Sequence, residues 1–208
     1  LVDAAQTAGV VPIDVQAMHI DLLAFPGHKS LMGPTGTGAL YVGPRAALRA
    51  WREGGTGGDS ASETQPEQLP YFLEGGTPNV LGVAGLAAGI RYVQEQGIEA
   101  LHAHEMELIL RLQLQLEEMD GIKVYGGRHK RGHVATLSFR AEALAAAELG
   151  GILDQSFDIA IRPGLHCSPY IHRSLGTFPD GTVRVSVGPF NAHEHMDALA
   201  SAVAEILA

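Results

Sequence analysis

The sequence predicts an α/β protein in two parts, a sheet of buried strands with helices followed by a smaller α+β layer. Short apolar runs alternate with turn residues over 1–45, two long helical patterns occupy the middle, and strands mix with helices after Gly121. Of the 208 residues, 46% are hydrophobic and 18% are charged. That composition supplies a core for one or two compact domains.

The predicted strands of the first part are the apolar runs 1–2, 10–15, 21–25 and 38–42. Runs this short and this apolar are typical of strands buried on both faces of an α/β sheet. The glycines and prolines of 33–38 predict a loop that leads into the last of these strands.

The middle of the chain combines a long loop with two helices. Gly, Ser, Thr and Pro are frequent over 48–78, and loops of that length in compact proteins tend to be functional. Helices are predicted over 80–96 and 98–119, separated by Gly97, and the second helix places four leucines near one face. These are Leu101, Leu108, Leu112 and Leu116.

The last part of the chain predicts a second, smaller domain. Its strands are expected at 122–125, 134–139, 159–161 and 183–187, its helices over 142–155 and from His193 onward. Strands mixed with helices that need not cross over are typical of an α+β layer. Gly97 is therefore the predicted boundary between a domain of residues 1–96 and one of residues 97–208.

Charge and cysteine content narrow the function classes. Lys and Arg number 14 against 23 Asp and Glu, a formal charge of -9, which disfavours a nucleic-acid surface or a polybasic membrane patch. The single cysteine, Cys167, permits no internal disulfide and fits a reducing cytoplasm. The apolar stretch 80–90 is interrupted by glycines and is shorter than the ~20 residues that span a bilayer. Small-molecule chemistry without a membrane segment is the expectation.

Lys29 is the first candidate for chemistry. It follows a predicted apolar strand and precedes the glycine-rich loop 33–38, where backbone amides can approach an anion. A lysine that is desolvated in such a place acts as a neutral amine and nucleophile. An ordinary surface lysine is the alternative.

Asp3 and Gln6 follow the first predicted strand, at the carboxyl edge where open α/β sheets bind ligands. A carboxylate at that edge can keep a heteroaromatic nitrogen protonated and so strengthen a cofactor ring as an electron acceptor. The alternative for Asp3 is a cap on the next turn.

Cys167 lies in a turn-rich segment, Arg-Pro-Gly-Leu-His-Cys-Ser-Pro, with Arg162 and His166 close in sequence. Nearby cations favour the thiolate, and breakers on both sides favour exposure, as nucleophilic sulfur chemistry requires. A small buried hydrophobe is the alternative.

Arg184 occupies a predicted strand whose odd-numbered positions are apolar. A buried guanidinium requires a carboxylate or phosphate partner, because an unpaired one is costly. A substrate carboxylate and a structural Asp or Glu are the two candidates.

The ten histidines do not predict a metal site. His102 and His104, like His193 and His195, are spaced two apart. On a helix that spacing points the rings to different sides, so neither pair makes a good chelate.

Five segments together resemble the class V aminotransferase family of fold type I pyridoxal-phosphate enzymes, and within it the cysteine desulfurase and selenocysteine lyase branch. They are Asp-Ala-Ala-Gln from residue 3, Phe-Pro-Gly-His-Lys with Gly-Pro-Thr-Gly-Thr-Gly at 25–38, Glu-Gly-Gly-Thr-Pro-Asn at 74–79, the segment 162–167, and Val-Arg-Val-Ser at 183–186. Their order and approximate spacing are retained over nearly the whole chain. The resemblance implies that residues 1–96 form the carboxyl-terminal part of a mostly parallel, cofactor-binding large domain.

The resemblance also implies a set of cofactor contacts. Lys29 would form the Schiff base with pyridoxal 5′-phosphate, Asp3 would pair with its pyridine nitrogen, and Gln6 would reach its ring hydroxyl. His28 would contact the phosphate. Thr77 would contact the phosphate bound to the other subunit of a homodimer.

The implied activity is that of a cysteine desulfurase, which converts L-cysteine to L-alanine. Arg184, with Arg162, would hold the substrate carboxylate, and Cys167 would attack the substrate's sulfur and keep it as a persulfide for a sulfur-acceptor protein. The alternatives are an aminotransferase, a selenocysteine lyase or another β-elimination lyase on the same scaffold. A noncatalytic module for dimerisation or docking is the alternative from a different class.

Two features depart from the family pattern. Pro26 stands where the family often has a Ser or Thr that contacts the phosphate, and proline cannot donate a hydrogen bond. The family's ring-stacking histidine and first phosphate-binding loop are not among these residues, and the sequence begins with neither an initiating Met nor a signal-peptide pattern. We therefore expect it to be the amino-terminally incomplete part of a longer protein.

Overall fold

The computed structural model describes residues 1–55, 61–126 and 132–208. Its elements are β1 (Val2–Asp3), β2 (Leu22–Pro26), β3 (Gly38–Val42), α1 (Val80–Gln96), α2 (Ile98–Glu117), β4 (Ile122–Tyr125), β5 (Thr136–Ala141), α3 (Ala146–Phe157), β6 (Arg162–Gly164), α4 (Pro169–Leu175), β7 (Thr182–Ser186) and α5 (His193–Leu207). The chain divides into two compact units, Leu1–Ile98 and Glu99–Ala208. The predicted α/β class is confirmed.

In the unit Leu1–Ile98, three strands form a sheet in the order β1, β2, β3. β1 and β2 are parallel, whereas β2 and β3 are antiparallel. The burial of these strands on both faces was overestimated from the sequence, because only Leu23 of β2 is buried and the first three residues of β3 are exposed. Much of this sheet is therefore accessible to solvent in the part of the chain that the structure describes.

The strand predicted at 10–15 is wrong. The amides of Val10 and Val11 both donate to the carbonyl of Thr7, which winds the backbone into a turn. Asp14 then accepts from two following backbone amides, each at 2.9 Å, and such local bonds compete with a strand ladder. Val10 is nevertheless buried, so its apolar side chain reflects packing and not a strand.

Helix α1 occupies the predicted range and packs against the loop after β2. A Cβ added at Gly33 would lie 2.7 Å from Cδ1 of Leu86, and one at Gly89 would overlap the carbonyl oxygen of Leu31. Glycine at both positions therefore permits the close approach of helix and loop. The described parts of the long loop predicted at 48–78 contain neither helix nor strand, while 56–60, with two of its predicted glycine breakers, lie outside the described residues.

In the unit Glu99–Ala208, four antiparallel strands form a sheet in the order β4, β5, β7, β6. Side chains of this sheet and of α2, α3 and α5 form a continuous hydrophobic core. Its most buried members are Leu108, Leu112, Leu116, Phe139, Leu149, Leu153, Val183 and Val203. Three of the four leucines predicted on one face of α2 belong to it, while Leu101 is half-buried.

The start of α3 differs from the prediction, at Ala146 instead of Glu142. The amide of Glu142 donates to the carbonyl of Gly121 at 2.8 Å, which ties it to the turn before β4. This bond continues the pairing of β4 with β5 one residue past Ala141. β5 therefore spans Thr136–Ala141 and not 134–139, and the helix begins later than predicted.

The strand predicted at 159–161 is displaced for a similar reason. Asp158 ends α3 in the left-handed conformation with a φ of 55°. The amide of Ile159 still donates to Leu153 at 3.0 Å, so this segment completes the helix. The ladder with β7 begins only at Arg162.

None of the helices in the described part of the chain combines the length and the apolar character that a membrane span requires.

Candidate active site

The residues predicted to bind the cofactor lie at one edge of the first sheet. Asp3 is the last residue of β1 and lies opposite Ala24 of the parallel strand β2, which ends at Pro26. The carboxyl ends of parallel neighbours meet at the same edge of a sheet, and Lys29 follows in the turn after β2. The structure therefore brings Asp3 and Lys29 to one sheet edge, with Gln6 and His28 next to them in sequence.

The backbone around Lys29 is held by three hydrogen bonds within its loop. The amide of Met32 donates to the carbonyl of Lys29 at 2.8 Å, and the amide of Gly33 donates to the carbonyl of Gly27 at 2.7 Å. The amide of Gly27 donates in turn to the carbonyl of Thr37 at 2.8 Å. The side chain of Lys29 is exposed on this loop, so the described residues hold its backbone in place without burying its amine.

Asp3 serves as the turn cap that the sequence offered as its alternative role. Its Oδ1 accepts from the amide of Ala5 at 2.9 Å. The carboxylate and the side chain of Gln6 are both exposed. The cap engages one carboxylate oxygen and orients the group, and a ligand contact through the second oxygen is compatible with it.

Thr77 is exposed in the turn before α1. Two residues later, the side chain of Asn79 accepts from the amide of Gly82 at 3.0 Å and caps the helix. The predicted contact of Thr77 involves another subunit, so it stays a prediction for this single chain.

Cys167 lies at the tip of a tight turn between β6 and α4. The amide of Ser168 donates to the carbonyl of Leu165 at 2.8 Å, and the two central residues, His166 and Cys167, have φ values of 52° and 61°. Two consecutive positive φ values are the mark of a type I′ turn. Cys167 is exposed, which confirms the exposure predicted for it.

Two arginines flank this turn on adjacent strands. Arg162 of β6 lies opposite Arg184 of β7 in the ladder, and its Nη2 donates to Sγ of Cys167 at 3.3 Å. Arg184 lies between the buried Val183 and Val185, and its Nε is buried without a hydrogen-bond partner among the described residues.

The electrostatic environment of Arg184 favours the binding of an anion there. Burial lowers the pKa of this guanidinium, the charge of Arg162 lowers it further, and Cys167 acts in the opposite sense. A buried cation that is destabilised in this way gains most from a negatively charged partner. Among the two candidates named from the sequence, a ligand carboxylate fits this arrangement.

A buried network beside Cys167 was missed in the sequence. Nε2 of His166 lies 3.0 Å from Oγ1 of Thr182, and Nδ1 of His172 lies 2.7 Å from Oγ1 of Thr177. The two imidazole rings are 5.5 Å apart. Both threonines are 1% exposed. The only local signal was a histidine next to the cysteine, because the partners come from other segments of the chain.

Helix α4, on which His172 lies, was also missed. Its signal was Pro169, since proline is common in the first turn of a helix. From the sequence alone the same proline is equally typical of a chain breaker.

The paired histidines have structural contacts. The Nε2 atoms of His102 and His104 lie 2.8 and 3.0 Å from two different backbone carbonyls. Nδ1 of His195 accepts a backbone amide at 3.1 Å, and Nε2 of His193 lies 3.2 Å from a Glu107 carboxylate oxygen. No group of three or more metal-ligating side chains occurs in the segments that the structure describes.

The family model for class V aminotransferases matches residues 1–199. The chain therefore belongs to the class V aminotransferase family, as its five motifs predicted. Members of this family are pyridoxal-phosphate enzymes.

Relatives and solved structures agree with this assignment. The chain is 34% identical to a probable cysteine desulfurase of Pyrococcus abyssi, over 100% of this chain and 52% of that protein. It is 35% identical to a cysteine desulfurase of Escherichia coli, over 99% of this chain and 50% of that protein. The crystal structure of the cysteine desulfurase CsdA from Escherichia coli matches with a TM-score of 0.88 and 32% identity, over 100% of this chain and 51% of that one. The chain thus spans about half the length of the curated relatives it matches.

Proposed function

We propose that the protein is a pyridoxal-phosphate-dependent cysteine desulfurase that forms a persulfide on Cys167. The observation that carries this proposal is an exposed thiol whose sulfur lies 3.3 Å from the Arg162 guanidinium, with a half-buried Arg184 opposite Arg162. A nucleophilic sulfur beside two cations suits a substrate that carries both a carboxylate and a sulfur atom. Relatives named cysteine desulfurase support the same activity.

The donor set at the sheet edge fits pyridoxal phosphate. Lys29 offers an exposed amine for the aldehyde, and the Asp3 carboxylate matches the ring nitrogen, which it would keep protonated. Gln6 and His28 would contact the ring hydroxyl and the phosphate. When bound, the cofactor supplies a protonated ring that withdraws electrons from the substrate's α carbon.

The arginines would orient the substrate. A guanidinium binds a carboxylate through two parallel hydrogen bonds, and Nε of Arg184 is a buried donor that no described group satisfies. Arg162 would share this carboxylate while it stays beside Sγ of Cys167. A substrate amino acid held in this way has a fixed orientation relative to the thiol.

Lys29 and Cys167 would then carry out the proton and sulfur transfers. Nζ of Lys29 takes the proton from the substrate's α carbon as a general base. The Cys167 thiolate attacks the substrate's sulfur, and a sulfur–sulfur bond forms as the bond from sulfur to the β carbon breaks. The electron pair stays with the carbon, which gains a proton, so the products are alanine and a persulfide on Cys167.

The proposed assembly is a homodimer that passes its sulfur to an acceptor protein. Exposed apolar side chains just after Thr77 support a subunit interface at this place. Val80, Leu81 and Val83 are 68, 87 and 59% exposed. In this arrangement residues 1–96 belong to the cofactor-binding domain and residues 97–208 form the small domain. A reducing cytoplasm would keep the Cys167 thiol available.

The test compares Cys167→Ala with Ser168→Ala, an exposed neighbour, in cofactor-loaded protein given L-cysteine. Cys167→Ala should reduce persulfide, sulfide and alanine to background while the visible absorbance of bound cofactor persists, and Ser168→Ala should retain all of them. Unchanged sulfur release from Cys167→Ala would contradict the proposal. Keto acid instead of alanine would identify the aminotransferase alternative, and absence of cofactor absorbance in every variant would favour the noncatalytic one.

A further inference from the structure

The turn that carries Cys167 has a conformation that its own residues do not favour. His166 and Cys167 hold its two central positions with φ of 52° and 61°. Type I′ turns are dominated by Gly, Asn and Asp, because left-handed backbone is costly for other side chains. Another pair persists there only where the surroundings over-determine it.

Besides the contact of Arg162 with Cys167, a hydrogen bond from its first central residue connects this turn to the neighbouring strands. Nε2 of His166 lies 3.0 Å from Oγ1 of Thr182. Thr182 is 1% exposed, begins β7, and lies opposite Gly164 at the end of β6. The bond therefore ties the first central residue of the turn to the paired strands that carry both arginines.

Burial and the charges around His166 keep its ring neutral. Electrostatic repulsion reaches it from Arg184 of β7, His172 of α4 and Arg162 of β6. Burial, followed by these charges in that order, lowers the pKa of His166 to about 4. An uncharged imidazole does not repel the two guanidinium groups, so it is compatible with the observed contact to Thr182.

We propose that His166 is a positioning residue that, through its hydrogen bond with Thr182, holds the turn so that Sγ of Cys167 lies beside the Arg162 guanidinium. The inference rests on the function proposed above, in which Cys167 is the nucleophile. His166 itself touches neither substrate nor cofactor. Loss of the bond leaves the thiol exposed but lets the turn relax away from Arg162.

The experiment measures the charge preference of thiol alkylation in the full 208-residue chain. Iodoacetate and iodoacetamide both alkylate Cys167 by displacement of iodide, but only the first carries a carboxylate that Arg162 and Arg184 attract. The ratio of the two rate constants therefore reports whether the thiol stands beside the guanidinium groups. Alkylation needs neither cofactor nor turnover, so its outcome is independent of the desulfurase test.

Thr182→Val removes the hydroxyl and keeps the side-chain shape. The preference for iodoacetate should fall by about fivefold, as expected for the loss of one ion pair at a partly exposed site. Thr182→Ser keeps the hydroxyl and should retain the wild-type ratio. A Thr182→Val protein with the wild-type ratio would overturn the proposal.

Thr177→Val is the matched control. Thr177 is equally buried at 1% exposed, and its hydroxyl is bonded to His172 and not to His166. It should lower the melting temperature much as Thr182→Val does, yet leave the alkylation ratio unchanged. If the ratio fell equally in Thr177→Val and Thr182→Val, the network would only stabilise the fold. The specific role proposed for His166 would then be refuted.

His166→Ala decides the matter if Thr182→Val does not fold. Alanine removes the imidazole and, unlike asparagine or glycine, gives the turn no preference of its own for left-handed backbone, so nothing replaces the lost hydrogen bond. The ratio should fall by the same factor of about five. Retention of the wild-type ratio in this folded variant would equally overturn the proposal.

Discussion

The two units hold their reactive groups in different ways. Lys29 of the unit Leu1–Ile98 is exposed on a loop fixed by backbone hydrogen bonds, next to a sheet that the described residues cover only in part. Cys167 of the unit Glu99–Ala208 lies beside two arginines and a network of histidines and buried threonines, in a unit that has a continuous core. The residues predicted to bind sulfur therefore contact one another within their own unit, whereas those predicted to bind the cofactor are exposed.

The largest expected effect concerns Lys29 and its covalent reaction with the cofactor. Lys29→Ala should abolish covalent capture of pyridoxal phosphate, because alanine has no amine to condense with the aldehyde. Borohydride reduction followed by peptide mass spectrometry measures this capture. Lys123→Ala, which removes an exposed lysine of β4, is the control and should label as the wild type does. Equal labelling of the two variants would show that Lys29 reacts no differently from an ordinary surface lysine.

Substitutions of buried residues should destabilise the two units to different extents. Phe139→Ala, at a fully buried position of β5, should cost about 3–5 kcal/mol of unfolding free energy. Leu23→Ala of β2 should cost only about 2 kcal/mol, because its neighbours in the strand are half-exposed and can collapse around the gap. Urea unfolding followed by hydrogen exchange assigns each loss to its unit. A cost for Leu23→Ala as large as that for Phe139→Ala would show that the first unit has an equally well-packed core.

The smallest expected effect is the pH dependence conferred by His166. Its pKa is lowered from 6.5 to about 4 in the folded chain, so the unfolded chain binds the proton first as the pH falls. His166 therefore leaves the stability unaffected above pH 6.5 and should reduce it progressively between pH 6.5 and about 4. Urea midpoints across this range should fall less steeply in His166→Asn than in the wild type.

A control for this pH effect exists in the other unit. His19 also has a positive φ, of 53°, but it is exposed. His19→Asn should keep the wild-type slope. Parallel slopes for all three proteins would show that His166 is not the source of the pH dependence.

The amino-acid sequence by itself determined the elements whose burial follows a local period. The range of α1 and the start of α5 coincide with the predictions, and Val183 and Val185 are buried around Arg184 as the alternation required. The family and the exposure of Cys167 also followed from short motifs and turn residues. These features depend on residues close in sequence, so a local pattern is sufficient to predict them.

Tertiary structure alone decided the features that depend on a distant partner. The apolar run at 10–15 became a turn, and Glu142, predicted to begin α3, donates a hydrogen bond to the carbonyl of Gly121 beyond the end of β5. The contact between His166 and Thr182 exists only because β6 and β7 pair in one register. A hydrogen bond between remote segments is chosen by the geometry of the whole unit, and no property of either residue alone specifies it.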